Sequence, residues 1–198
     1  MSIINDQALA ALFTDARTQN GWTDRPVTDD QLRQIFDLMK MAPTSMNTQP
    51  ARFVFLRTPQ AKERLRPALS GGNVDKTMSA PVVAIIGHDT DFHEHLPKVF
   101  PHSPDAKAMF DGDARRAFRD TFAFRNGTLQ GAYFMLAARA VGLDVGPMSG
   151  FDNAKVDAEF FPEGRVKSNF LCNLGQGDPA KVFERLPRFA FDEVCTLL

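Results

Sequence analysis

Residues 121–141 place the tightest restriction on what this chain can fold into. They read as one long helix, and Leu129, Ala132, Tyr133, Leu136, Ala137 and Ala140 make it apolar nearly all round. Such a helix is central to a domain or lies at an interface. Gly142 ends it. The chain has 198 residues, a length that suits one domain spanning 1–198.

Short apolar runs at Phe53–Leu56, Pro81–Ile86 and Phe170–Leu174 read as three strands, the second apolar throughout and so expected to be buried on both faces. Gln7–Arg17 reads as a first helix. Thr28 opens a second, with Gln31 at capping-box spacing and Leu32, Ile35, Phe36 and Met39 forming one apolar stripe. Pro43 closes it. Gln60–Leu69 is helical, Ser70–Asn73 and Gly146–Phe151 are loops, and Asp152 caps a short helix. Residues 89–113 have no clean period and read as a surface excursion. The sum is an α+β or three-layer α/β/α domain with a small sheet and one dominant helix.

Composition removes several function classes. A net charge of -1 advertises no face for nucleic acid. The apolar runs fall far short of the ~20 residues of a membrane span. The start MSIINDQALA lacks the basic region and apolar block of a signal peptide, and Cys172 and Cys195 form no disulfide framework, so a cytoplasmic location is expected.

Four constellations could carry chemistry. Ala42–Pro50 joins two prolines with hydroxyls and amides, offering donors and acceptors without charge. That suits a flat polar ligand edge, although a loop bonding its own backbone is the plainer reading of composition alone. Gly146–Asp152 precedes a helix start, where glycine lets a ligand approach the backbone; a tight turn with a cap explains it equally well. Arg17-Thr18 near one end of the chain, and Arg185 and Arg188 near the other, could fork a phosphate or be solvated charge. His88, His93, His95 and His102, with Asp89 and Asp91, could hold a metal and support a hydrolase, but their spacing matches no metal motif.

In order and separation, Ala42–Pro50, Gly142-Leu143-Asp144 leading to Pro147–Asp152, and Arg188–Val194 resemble the nitroreductase family across nearly the whole chain. The resemblance implies a three-layer α/β/α sandwich with a small mixed sheet and a long central helix, in a domain-swapped type of homodimer with active sites at the subunit interface. It implies FMN as cofactor, NADH or NADPH as reductant, and ping-pong transfer through the flavin to a small-molecule acceptor, with no protein nucleophile. Phe13–Thr18, Asn20-Gly21-Trp22, Glu63–Leu69 and Gly146–Asp152 are similar to a narrower group taken to reduce malonic semialdehyde to 3-hydroxypropionate in pyrimidine degradation (the Rut pathway). Broad nitro- or quinone-reductase activity is the alternative.

Carried over by position, Arg17, Thr18 and Asn20 would hold the FMN phosphate and adjoining flavin, and Arg185 and Arg188 would close on the phosphate. Pro43, Thr44, Ser45 and Asn47 would reach the flavin bound mainly by the other subunit. Pro147, Met148, Ser149 and Gly150 would lie along the isoalloxazine. Asn73, Lys76 and Arg125 are candidates for the acceptor. The chain departs from the family's paired arginines in the first motif, where it has Ala16-Arg17, which puts one phosphate contact in doubt, and Ser149 replaces an acidic residue of some relatives.

Overall fold

A computed structural model describes residues 3–198. Its helices are α1 (Asp6–Leu9), α2 (Asp29–Met39), α3 (Pro59–Leu65), α4 (Val74–Met78), α5 (Leu96–Val99), α6 (Arg116–Ala140), α7 (Asn153–Phe160) and α8 (Phe191–Val194). Its strands are β1 (Ala51–Leu56), β2 (Val82–Asp89), β3 (Asp144–Met148) and β4 (Val166–Gly175), in the order β1-β2-β4-β3.

Every residue of β2 is buried, because the strand is central and covered on both faces. Side chains alternate across it. Val82, Ala84 and Ile86 pack with Leu32, Ile35 and Met39 of α2 and Phe134, Ala137 and Ala138 of α6. Val83 and Ile85 face the opposite layer, with Leu65 of α3 and Val156 of α7. This is the expected three-layer arrangement. The strand pairs are all antiparallel, and the parallel component is an isolated bridge between Thr18 and Val145.

The Thr28 capping box forms as expected, its side chain accepting from the Gln31 amide. Phe36 does not join the core stripe; it is 52% exposed on an open groove. Helix α6 starts at Arg116, and its Gly127 and Gly131 let it lie close on the sheet. A β-carbon at Gly127 would sit 2.8 Å from the His88 β-carbon, and one at Gly131 2.5 Å from the Phe170 ring.

Three expectations are corrected. The first helix is a short α1 followed by a π-helical turn, Ala10–Thr14. Residues 146–148, expected as part of the Gly146–Phe151 loop, belong instead to β3, an edge strand that tolerates Pro147. Residues 89–113 do not run over the surface as a loop: short helical turns bury Phe92, Leu96, Ala106 and Phe110 against Ala123 of α6. Asp89 anchors that segment. Its carboxylate accepts from Arg165 Nε and Nη2 (2.7 and 2.8 Å), Arg52 Nη2 (2.6 Å) and the Asp91 amide (2.9 Å).

Candidate functional site

The two ends of the chain meet in a cavity of about 610 Å³. It is lined by Phe13, Ala16, Arg17, Thr18 and Asn20 on one side, Arg139 below, and Phe183–Leu186 with Arg188 on the other. The π-helical turn does part of the positioning. It closes on a bond from Asp15 N to Ala10 O (2.9 Å), and the Leu12 and Thr14 carbonyls, unpaired as in any last helical turn, take guanidinium donors: Arg139 Nη1 donates to Leu12 (2.9 Å) and Arg185 Nη2 to Thr14 (2.6 Å). Arg17 donates to the Phe183 carbonyl, and Arg188 to the carbonyls of Leu186 (2.9 Å) and Pro187 (3.1 Å). Among the described residues, none of these four guanidiniums forms an ion pair with a carboxylate; their partners are main-chain oxygens. A cavity that gathers four cations against one lining acid, Glu184, is built for an anion with several oxygens.

The loop after β3 adjoins this motif. Gln19 N donates to Val145 O (3.0 Å), beside the Thr18–Val145 bridge, so residues 17–20 run alongside β3. The Gly150 carbonyl accepts from Ser70 N (3.1 Å) and from the Asn73 amide (2.7 Å). Ser149 is exposed and Gly150 half-buried. Met148 is turned away: its side chain is buried, and its sulfur receives the Thr77 hydroxyl at 3.4 Å. Only the Met148 backbone is therefore available to a ligand. Opposite Pro147, Cys172 is fully buried, and burial pushes its thiol up to about 12, so it is no nucleophile.

Within one chain the Pro43–Asn47 loop does not line the arginine cavity. Met46, Asn47 and Gln49 adopt left-handed backbone angles (φ 52°, 50° and 43°). The turn is held by Asn126 Oδ1, which accepts from Ser45 N (2.8 Å), and by the Asn47 amide on the Val99 carbonyl (2.7 Å).

Of the acceptor candidates, Asn73 is committed to Gly150 and so holds the loop. The Lys76 carbonyl ties Trp22 Nε1 (2.9 Å) and Asn173 Nδ2 (3.1 Å), while its side chain is half-buried. Arg125 is exposed on α6, away from the cavity. The histidines divide: His95 and His102 are exposed, as expected, and the other two are not. His88 and His93 are buried, and burial draws both below the ordinary imidazole range. His93 does adjoin Glu94 and Asp111, but the Lys107 ammonium sits on those carboxylates (3.3 and 2.7 Å). Arg139 escaped the sequence reading because a basic residue in a helix's last turn is explained by the helix dipole alone.

Comparison with known proteins gives this geometry a family. A family model described as Nitroreductase family matches residues 16–162. HadB of Ralstonia pickettii, provisionally named an NADH dehydrogenase/NAD(P)H nitroreductase, is 59% identical over 190 residues, 96% of this chain and 97% of its own. Among solved structures, the Bacillus subtilis nitroreductase-type protein ydfN superposes with a TM-score of 0.87 at 22% identity, covering 98% of this chain and all of its own. A nitroreductase-type protein from Exiguobacterium sibiricum, solved in complex with FMN, gives 0.87 at 17% identity over the whole of both chains. The chain belongs to the nitroreductase family.

Proposed function

We propose that this chain is an FMN-dependent NAD(P)H oxidoreductase whose cofactor phosphate lies in the four-arginine cavity. The observation that carries the reading is that Arg17, Arg139, Arg185 and Arg188 converge there on carbonyl partners alone. The donor set fits a phosphate, which accepts from several guanidinium forks at once. Thr18 and Asn20 line the same wall. The names of the relatives, NAD(P)H nitroreductases, and the FMN of the Exiguobacterium complex support it.

When bound, FMN supplies the redox chemistry, taking hydride from NADH or NADPH and passing it to the acceptor. The protein's part is binding and orientation. The arginines fix the phosphate end. Asn73 and Ser70 hold the Gly150 carbonyl, which fixes the backbone of Pro147–Gly150 that would lie along the flavin ring.

The Pro43–Asn47 loop, outside this chain's cavity, serves the flavin of a second copy in a homodimer. Strand β1 is an edge, and the groove beside it, about 800 Å³, is lined by Leu32, Phe36, Phe53, Phe55 and Phe134. The tail ends in Phe189, Phe191, Val194 and Leu197, all exposed, and its seating in the partner's groove would cover both.

For the acceptor, the likeness of Phe13–Thr18 and Glu63–Leu69 to the semialdehyde-reducing group supports malonic semialdehyde. The relatives' names, NAD(P)H nitroreductases, support a nitroaromatic instead. Two measurements test these readings. Purified protein should be yellow or bind added FMN, and protein that does neither ends the flavin reading. A kcat/KM far higher for a nitroaromatic than for malonic semialdehyde would sink the first acceptor.

A further inference from the structure

The first motif presents only the methyl of Ala16 to the anion cavity, beside a single arginine. The same cavity receives a guanidinium from the last turn of α6. We infer that Arg139 is a direct phosphate ligand of the cofactor site and makes up the cation that Ala16 does not supply, so that the site selects a phosphorylated flavin over riboflavin.

The inference rests on the flavin reading above, and the placement and bonding of Arg139 carry it. Arg139 lines the cavity together with Ala16, Arg17, Arg185 and Arg188. Its hydrogen bond, Nη1 to the Leu12 carbonyl at 2.9 Å, uses one of the five donors of a guanidinium and leaves the others for an anion. The accepting carbonyl lies in the same helix end that accepts from Arg185, so one turn holds two cations at one place. Arg139 is half-buried, and burial draws it below the ordinary arginine range, with Cys172 and Asp144 acting in the opposite direction. Asp144 is engaged with the Gly177 amide at 2.8 Å. A half-buried cation with no carboxylate in ion-pair contact is costly unless an anion completes it.

Arg139 also stands on a rigid element. Its neighbours Ala137 and Ala138 are packed in the core, so the guanidinium is anchored to the body of the domain, whereas Arg185 and Arg188 sit on an exposed tail segment. It is therefore the fixed member of the set, onto which the tail arginines close.

The test is flavin titration of the apoprotein, followed by fluorescence, with FMN and riboflavin side by side. Arg139→Gln should weaken FMN roughly 10- to 100-fold, the loss of a charged hydrogen-bonding partner, and leave riboflavin affinity unchanged. Arg139→Lys should recover part of the FMN affinity, since it restores the charge without the fork. Equal weakening of both flavins by Arg139→Gln would mean that the residue only supports the Leu12 turn and would overturn the inference. So would unchanged FMN binding in that variant. Wild-type protein that binds neither flavin overturns the flavin reading itself and this inference with it, an outcome distinct from the other two.

Discussion

Arg185 Nη2 donates to the Thr14 carbonyl over 2.6 Å, joining positions 171 apart in the chain and closing the anion cavity. The contact is a latch: it places a tail cation over the first motif without spending it on a carboxylate. Replacing Arg185 with Ala should weaken FMN roughly 10- to 100-fold, the worth of a hydrogen bond to a charged group, with little change in Tm because the side chain is exposed. Flavin titration and a thermal melt of the same sample check both halves. A large loss of Tm would mean that the latch holds up the fold.

The Asn73 amide and Gly150 are coupled by contact. A β-carbon on Gly150 would sit 2.5 Å from the Asn73 nitrogen that now donates to the Gly150 carbonyl. Gly150→Ala and Asn73→Ala should each destabilise the protein, by about 1 kcal/mol for the lost hydrogen bond in the latter case. Removing Asn73 also removes the clash, so the double variant should be less unstable than the sum predicts, with a coupling of about 0.5–3 kcal/mol. Denaturant unfolding of the four proteins measures it, and strict additivity would refute the arrangement.

How much of this was legible from sequence depends on how local each signal is. The capping box at Thr28 and the apolar run Pro81–Ile86 are written in adjacent residues; the box formed as read, and the run became the start of β2, which continues to Asp89. Strand β3 was hidden because Gly146 and Pro147 signal a turn; only its place at the sheet edge, a tertiary fact, makes proline acceptable there. The turns that bury Phe92, Leu96 and Phe110 are too short to show a period. At the site, Arg17, Thr18, Asn20, Arg185 and Arg188 were all named, but nothing along the chain says that its ends meet. Arg139 and the Asn73–Gly150 bond exist only once residues far apart in sequence are brought together.

Asp89 gives the protein an acid-sensitive joint. Burial alone would raise its carboxyl, but hydrogen bonds from Arg165, the charge of Arg52 and the Asp91 amide outweigh that and hold it below the ordinary carboxylate range. A carboxyl whose folded value is depressed contributes stability above its unfolded value, about 3.9, and loses that contribution as pH falls through the folded value. Asp89→Asn strands two guanidiniums and should cost about 3–5 kcal/mol at neutral pH, the range for breaking a buried pair. The Tm gap between variant and wild type should narrow as pH drops below about 4. Calorimetry across that range would show parallel curves if Asp89 did not titrate between the folded and unfolded states.

The tail supplies the last prediction, because its apolar residues have no cover within one chain. Phe189 is 77% exposed, Leu197 85%, and the residues after α8 leave it extended at Cys195. An extended apolar segment and an open β1 edge are complementary, and two copies would satisfy both symmetrically. The full chain should therefore sediment at twice its 22.0 kDa mass. Deleting residues 189–198 should give monomers while sparing every arginine of the cavity. If Asn47 and its loop serve the partner's flavin, the truncated chain should also bind FMN more weakly, although its own phosphate ligands are intact. Truncated monomers with unchanged FMN affinity would place the whole site within one chain, and a monomeric full-length protein would remove the reason for the groove.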